Sequence, residues 1–179
     1  SKIYTRMPDS KIILRAMEPE DVDYLYAWEN DPEIWKVSST LAPYSRFVLE
    51  QYVAESMGKD VFECGQLRLV IVEADSGAPV GLIDLFDADF QNRHGSIGIS
   101  INSRSARCKG YAGEALRKFA EHCFDVIGLH ALYARINVDN EASIKLFEKC
   151  GFERCGLLRH WRRTPDGWMD QVEMMIIKN

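Results

Sequence analysis

No stretch of these 179 residues approaches the roughly 20 consecutive apolar positions that a membrane-spanning helix needs. No secretory apolar segment opens the chain either, so neither insertion nor export is expected. The five cysteines (Cys64, Cys108, Cys123, Cys150 and Cys155) form an odd set without a Cys-x-x-Cys pair. That argues against a disulfide framework and for a reduced, cytoplasmic setting. None of the four histidines (His94, His122, His130, His160) falls at i, i+4 spacing with a carboxylate motif, so no metal site is expected. A basic excess is also missing: 22 Lys and Arg against 27 Asp and Glu leave a net charge of −5, which disfavours generic nucleic-acid binding. Neither G-x-x-x-x-G-K-[ST] nor G-x-G-x-x-G occurs, which excludes two common nucleotide loops. With no internal repeat, low-complexity tract or linker, residues 1–179 read as one domain.

What is present is a change of hydrophobic period along the chain. "KIILRAM" reads as an opening strand, followed by "EPEDVDYLYAWEND", in which Val22, Leu25, Tyr26 and Glu29 share a helical face behind Pro19. "SRFVLEQYVAESMG" is a second helix, with Phe47, Val48, Gln51, Tyr52 and Glu55 on one side. "QLRLVIVEA" and "APVGLIDLF" are strands joined by the turn "DSGAP", and "GSIGISI" alternates Ile97, Ile99 and Ile101 with small residues. From Gly110 the pattern is helical, with an apolar stripe of Ala112, Leu116, Phe119, Ala120, Cys123 and Ile127. "ALYARINV" is a strand, and "NEASIKLFEKCGF" a short helix with an Asn140 or Asp139 cap and Gly151 at its stop. "GLLRHWRR" and "WMDQVEMMII" form a hairpin about "TPDG". The order β-α-α-β-β-β-α-β-α-β-β predicts an α+β fold with a mixed, mostly antiparallel sheet of about seven strands and about four helices.

"RSARCKGYAGEAL" places Arg104, Arg107 and Lys109 at a helix entrance, where the macrodipole disfavours cations. Uncapped N–H groups there, a glycine at Gly110 that admits close approach, and this counter-charge together point to a phosphate or pyrophosphate. The match R-x-x-G-x-A, Arg107 to Ala112, follows a strand and opens an amphipathic helix.

With "GISINSRSARCKGYAGEAL" and "YARINVDNEASIKLFEKCGFERCG" both in place, the chain resembles the GNAT superfamily of acetyl-CoA-dependent N-acetyltransferases. "WENDPEI" and "GLLRHWRRTPDGWMDQVEMMII" resemble the branch containing ribosomal-protein-alanine and spermidine N-acetyltransferases. The resemblance implies a sheet splayed between the strands at 95–102 and 131–138, with acetyl-CoA as co-substrate. It implies that the backbone of Ile99, Ser100 and Ile101 pairs with the pantetheine amides. The loop of Arg107, Cys108, Lys109, Gly110, Tyr111 and Ala112 then holds the pyrophosphate, and Asn140 and Phe147 meet the pantetheine arm. A plain N-cap is the competing role for Asn140, and the two are compatible.

Two departures from the family pattern concern the chemistry. The tyrosine that often protonates the leaving thiolate is replaced by Phe147, and a glutamate common near the start of the cofactor strand is replaced by Ser96. The amine still has to lose a proton and an oxyanion has to be met, for which backbone N–H groups of "GISI" serve. Asp84 and Asp87 are the candidate bases, Asp84 because burial in an apolar strand raises a carboxyl pKa. A sheet carboxylate at an exposed pleat is the alternative reading of Asp84. Tyr133 and Cys150 read better as core residues than as acids.

Between Ala16 and Trp35 lie seven carboxylates and no lysine or arginine. Such a run is commonly a solvated face. In the resembled family these helices border the acceptor site, so Trp28, Glu29 and Glu33, with Trp35 and Tyr44, are candidates for binding a cationic amine. A polyamine, an aminoglycoside or a protein N-terminal amine fits that charge. The competing class is a non-catalytic acyl-CoA-binding or sensing domain, for which the missing tyrosine and glutamate speak. A homodimer through a sheet edge is compatible with either.

Overall fold

A computed structural model describes residues 9–35 and 42–179, with the backbone but not the side chain of Trp35. Among the described residues seven strands form one sheet in the order β1-β2-β3-β4-β5-β7-β6. They are β1 (Ile12–Ala16), β2 (Leu67–Glu73), β3 (Pro79–Asp89), β4 (His94–Ile101), β5 (Ala131–Asn137), β6 (Glu153–Thr164) and β7 (Gly167–Ile177). Every neighbouring pair is antiparallel except β4 and β5. Those two are parallel because the connection between them is a crossover through a helix.

The helices are α1 (Val22–Glu29), α2 (Pro32–Trp35), α3 (Arg46–Gly58), α4 (Val61–Cys64), α5 (Tyr111–His122) and α6 (Glu141–Lys149). Among the described residues six α-helices stand where four were expected, because α2 and α4 are single turns of four residues, too short to show a period in sequence.

Strand alternation divides the side chains between two cores. Ile12, Leu14, Leu69, Ile71, Ile83, Leu85, Ile97, Leu132 and Ala134 pack beneath α5 and α6 with Leu116, Phe119 and Phe147. Ile13, Val70, Val72 and Leu82, from the opposite pleat, pack with Val22, Leu25, Leu49 and Val53 of α1 and α3. Each fully buried Leu or Phe contributes about 1.5–3 kcal/mol relative to exposure.

The face expected for α3 is not the one it buries. Leu49 and Val53 are inside, whereas Phe47 is 65% exposed and Val48 is also exposed. Apolar residues lie all round this helix, so their spacing did not single out a side. On α1, Val22 and Leu25 are buried as expected, but Tyr26 is exposed and lies under the Arg46 guanidinium, 5.1 Å from the ring centroid.

Candidate functional site: a cleft where two strands part

The parallel ladder of β4 and β5 has three rungs: His94 with Ala131, Gly95 with Leu132, and Ser96 with Tyr133. Beyond Ser96 the strands diverge, while β4 stays paired to β3 as far as Ile101 opposite Gly81. The result is a cleft of about 200 Å³ whose walls include Ile97, Gly98 and Ile99 of β4 and Ala134 to Asn137 of β5. Asn140, Ser143 and Phe147 of α6 close one side, and Arg162 and Gln171 the other. Ile99, Asn140 and Phe147 are therefore brought together on the walls of one cleft. Ser100 and Ile101 lie further along the same strand: the Ser100 hydroxyl donates to Asn102 Oδ1 at 2.8 Å, and Ile101 O accepts from Arg107 Nε at 3.3 Å.

Beyond the end of β4, where Arg107 reaches back to Ile101 O, stands the N-terminus of α5, beside Lys11 and Glu73. Gly110 is its N-cap with φ +79°, Cys108 is also left-handed at +63°, and no side chain caps the first turn. A 12-residue helix thus presents uncapped N–H groups, which attract an anion. A Cβ at Gly110 would come no closer than 3.6 Å, to Lys11 Nζ, so the dihedral rather than crowding calls for glycine. The basic residues are less concentrated than the spacing suggested. Lys109 lies over the Tyr111 ring at 5.9 Å, and the exposed Arg104 pairs with Glu33 at 3.1 Å. Tyr111 is buried and donates from its hydroxyl to Glu73 Oε2 at 2.6 Å, while Ala112 is half-buried.

Helix α6 explains both of its site residues. Asn140 Oδ1 accepts from the Ser143 N–H at 3.2 Å, so the N-cap is formed while the residue also lines the cleft. At the other end Gly151 N–H donates to Glu148 O and Phe152 N–H to Phe147 O, both at 3.0 Å. Gly151 has φ +92°, and the Phe147 and Phe152 rings meet edge to face at 4.9 Å. This is the Schellman ending with its apolar contact, and it accounts for the phenyl ring of Phe147 independently of any chemistry.

The carboxylates proposed as bases fare differently. Asp84 faces α1 and α3, where Arg68, opposite it on β2, holds it through both oxygens, one contact measuring 2.9 Å. Arg68 also reaches Glu29 at 3.5 Å and lies over the Tyr52 ring at 5.3 Å. Burial pulls the Arg68 pKa down, but Asp84 outweighs it and the guanidinium is held above its ordinary value. Asp84 is therefore neither a lone buried carboxyl nor an exposed one; its negative charge is engaged by a fixed cation. Asp87 is exposed, at φ +49°, in a bulge where β3 and β4 slip register.

The acidic stretch is similarly occupied. Asp21 pairs with Arg15, Asp23 with Arg46, Glu29 with Arg68 and Glu33 with Arg104. Trp28 is half-buried against the second core and tilted on Tyr24 at 5.6 Å. Tyr44 is clamped by Asn30, whose amide donates to Tyr44 O and accepts from Tyr44 N. The Trp35 side chain lies outside the described residues.

Sequence reasoning missed the polar lining on the outer pleat of β5 and β7. Asn137 and Gln171 are both buried, with Gln171 Nε2 donating to Asn137 Oδ1 at 2.9 Å. Arg135 pairs with Glu173 at 2.9 Å and lies between the Tyr133 and Trp161 rings, 5.7 and 5.6 Å from their centroids. Alternation along "ALYARINV" places Tyr133, Arg135 and Asn137 on one face, and that was the available signal. Tyr133 is half-exposed rather than a core residue.

A sheet parted between two parallel strands, with an uncapped helix end beyond the parting strand, is a scaffold for an extended ligand that carries an anionic group. Comparison with known proteins agrees. The family model described as an acetyltransferase (GNAT) domain matches residues 11–153, and the chain belongs to that family. It is 29% identical to spermidine N(1)-acetyltransferase of Escherichia coli K12 over 97% of this chain and 90% of the other. It is 30% identical to an uncharacterized N-acetyltransferase of the SPbeta prophage of Bacillus subtilis, over 90% and 86%. In fold it matches spermidine N-acetyltransferase of Vibrio cholerae, solved in complex with CoA and spermine. That match has a TM-score of 0.84 at 24% identity and covers 94% of this chain and 96% of that one. The protein is an N-acetyltransferase.

Proposed function

We propose that this enzyme moves an acetyl group from acetyl-CoA to a primary amine by direct attack in a ternary complex. The observation that carries the reading is the loss of pairing beyond the Ser96–Tyr133 rung, which leaves a β4 edge facing the cleft. An extended pantetheine arm fits that edge as a partial strand along Ile99, Ser100 and Ile101, with Asn140 and Phe147 opposite. Its pyrophosphate then meets the uncapped turn over Arg107, Cys108, Lys109, Gly110, Tyr111 and Ala112. The thioester comes to rest near the rung itself, where β4 N–H groups can meet the oxyanion.

The amine approaches from the outer pleat, because the other face is filled by α5 and α6. It must be neutral to attack, and an alkylamine with a pKa of about 10.4 is mostly charged at pH 7. Asp87 is the carboxylate we assign to help remove that proton, since Asp84 is held by Arg68. Relatives named for spermidine make a polyamine the first acceptor to try. Attraction of such a cation then rests on the net charge of −5 and on Trp28, Glu29 and Glu33 as a partly neutralised wall. The five free thiols suit the reducing cytoplasm. The long β6 edge, with Leu157 and Trp161 exposed, is where we place self-association.

The test is thiol release from acetyl-CoA against spermidine, an aminoglycoside and an alanine-initiated peptide, with both substrates varied. Intersecting double-reciprocal lines are expected. Parallel lines would replace direct attack with a covalent acetyl-enzyme, and acetyl-CoA binding without amine-dependent release would make the chain a sensing domain.

A further inference from the structure

The family's usual proton donor is missing at Phe147, and the ring there is 3% exposed and closes the end of α6. A different hydroxyl stands at the apex of the cleft. Ser96 and Tyr133 form the last rung before β4 and β5 separate, so both side chains point to the outer pleat at the point where the strands part. Ser96 is 3% exposed, and from its place directly across the rung its side chain favours the phenolate form of Tyr133. The Tyr133 ring is braced by the edge of His94, with centroids 6.2 Å apart, and by Arg135 at 5.7 Å. Together with Glu173 these rings line an open depression of about 380 Å³ on the outer face, next to the cleft. Arg135 lines both spaces, so the depression and the cleft are neighbours on either side of this residue.

Building on the acetyl transfer argued above, we propose that Tyr133, oriented by Ser96, is the group that passes the proton to the leaving thiolate. The amine nitrogen attacks the thioester carbon and the carbon–sulfur bond breaks. The sulfur takes the phenolic proton, and the phenolate recovers one from the attacking nitrogen through Ser96 or a water. The net change is one proton moved from nitrogen to sulfur, so no further reactant is needed. Burial, outweighing the opposing influence of Arg135, pushes the Tyr133 phenol above its ordinary value. The resting hydroxyl is therefore protonated and suited to donate first. A proton shuttle suits this chemistry better than a strong acid, because a thiol with a pKa of about 8.5 is already a fair leaving group. Asp87, which acts electrostatically on Tyr133 from the β3 bulge, holds the proton on the phenol further.

The experiment compares Tyr133→Phe with the parent enzyme, using acetyl-CoA and whichever amine of the panel is turned over fastest. We expect kcat to fall about tenfold, less than the usual worth of a positioned acid, with acetyl-CoA affinity within about twofold of the parent. Ser96→Ala, which keeps the ring and its packing, should lower kcat about threefold. Placing Phe147→Tyr on the Tyr133→Phe background should recover part of the loss, because it restores a hydroxyl beside the cleft from α6. A purely structural role would not allow that rescue. A folded Tyr133→Phe with parental kcat overturns the proposal, as does a loss of kcat matched by an equal loss of acetyl-CoA affinity. If Tyr133→Phe does not fold, parental kcat in Ser96→Ala overturns it instead. A parent without amine-dependent thiol release overturns the acetyl-transfer reading itself, and the shuttle with it; an active parent with unaffected variants overturns the shuttle alone.

Discussion

On β3, Ile83 and Leu85 point into the core beneath α5, while Leu82, Asp84 and Phe86 on alternate positions face the side of α1 and α3. The first pleat joins Leu116, Phe119 and Leu132, all fully buried and apolar. On the second pleat lie Arg68 with Asp84 and, further along the sheet, Arg135 with Glu173 and Asn137 with Gln171. One face is thus held by area removed from water alone, while the other adds to its apolar cluster under α1 and α3 a set of matched polar groups that must stay matched. The helix we assign to the cofactor sits on the apolar face. The side proposed for the acceptor adds polar pairs, whose geometry is specific but whose net stabilisation is modest.

The largest effect should come from the apolar face. Phe119→Ala should destabilise the protein by about 3–5 kcal/mol in denaturant titration, with no dependence on salt. A small or salt-sensitive loss would erase the contrast between the faces. Next is the polar face: Arg68→Met leaves Asp84 without its guanidinium and should cost about 3 kcal/mol, the low end for a pair that is not fully enclosed. Pairing it with Asp84→Leu should return most of that loss. A folded Asp84→Asn enzyme whose kcat has collapsed would break this picture and return Asp84 to the chemistry.

A smaller effect separates the faces by pH. Burial raises the Asp21 pKa, but bonds from the Arg15 side chain and the Glu18 N–H outweigh it, so the carboxyl titrates below its ordinary value. A depressed folded pKa contributes stability that is present above the unfolded pKa of about 3.9 and lost as pH falls through the folded value. Asp21→Asn should therefore cost about 2 kcal/mol at pH 7, and the difference from the parent should shrink progressively below pH 4. A difference that stays constant down to pH 2 would assign the loss to packing. The smallest effect is at Gly110, where alanine meets no clash but must hold φ +79°. Gly110→Ala should cost about 1 kcal/mol and weaken acetyl-CoA in calorimetric titration. Unchanged affinity would detach this turn from the cofactor.

The half proposed to hold the cofactor was the more readable of the two. The stripe of Leu116, Phe119, Ala120 and Cys123 is buried as spaced, and burial pushes the Cys123 thiol up to about 12. "FEKCGF" spells out the Schellman ending, because a glycine stop and two flanking aromatics are local features. On the acceptor half the buried side of α3 was misjudged, since Phe47, Val48 and Met57 are apolar and yet exposed. Glu29 and Glu33 read as a uniform acidic run because their arginine partners, Arg68 and Arg104, lie 39 and 71 positions away.

By itself the sequence determined the order of the seven strands and of the four longer helices, the helical crossover between β4 and β5, the anion-suited entrance of α5 and the family. All of these rest on periodicity and short-range motifs, whose physics is complete within about a dozen residues. Tertiary structure alone decided which carboxylates keep company with arginines, where β4 and β5 cease to pair, and which hydroxyl stands at that point. Those outcomes depend on strand register. A shift of one residue would turn Tyr133 and Asp84 to the opposite face, and it is the closed packing of both cores that selects the register.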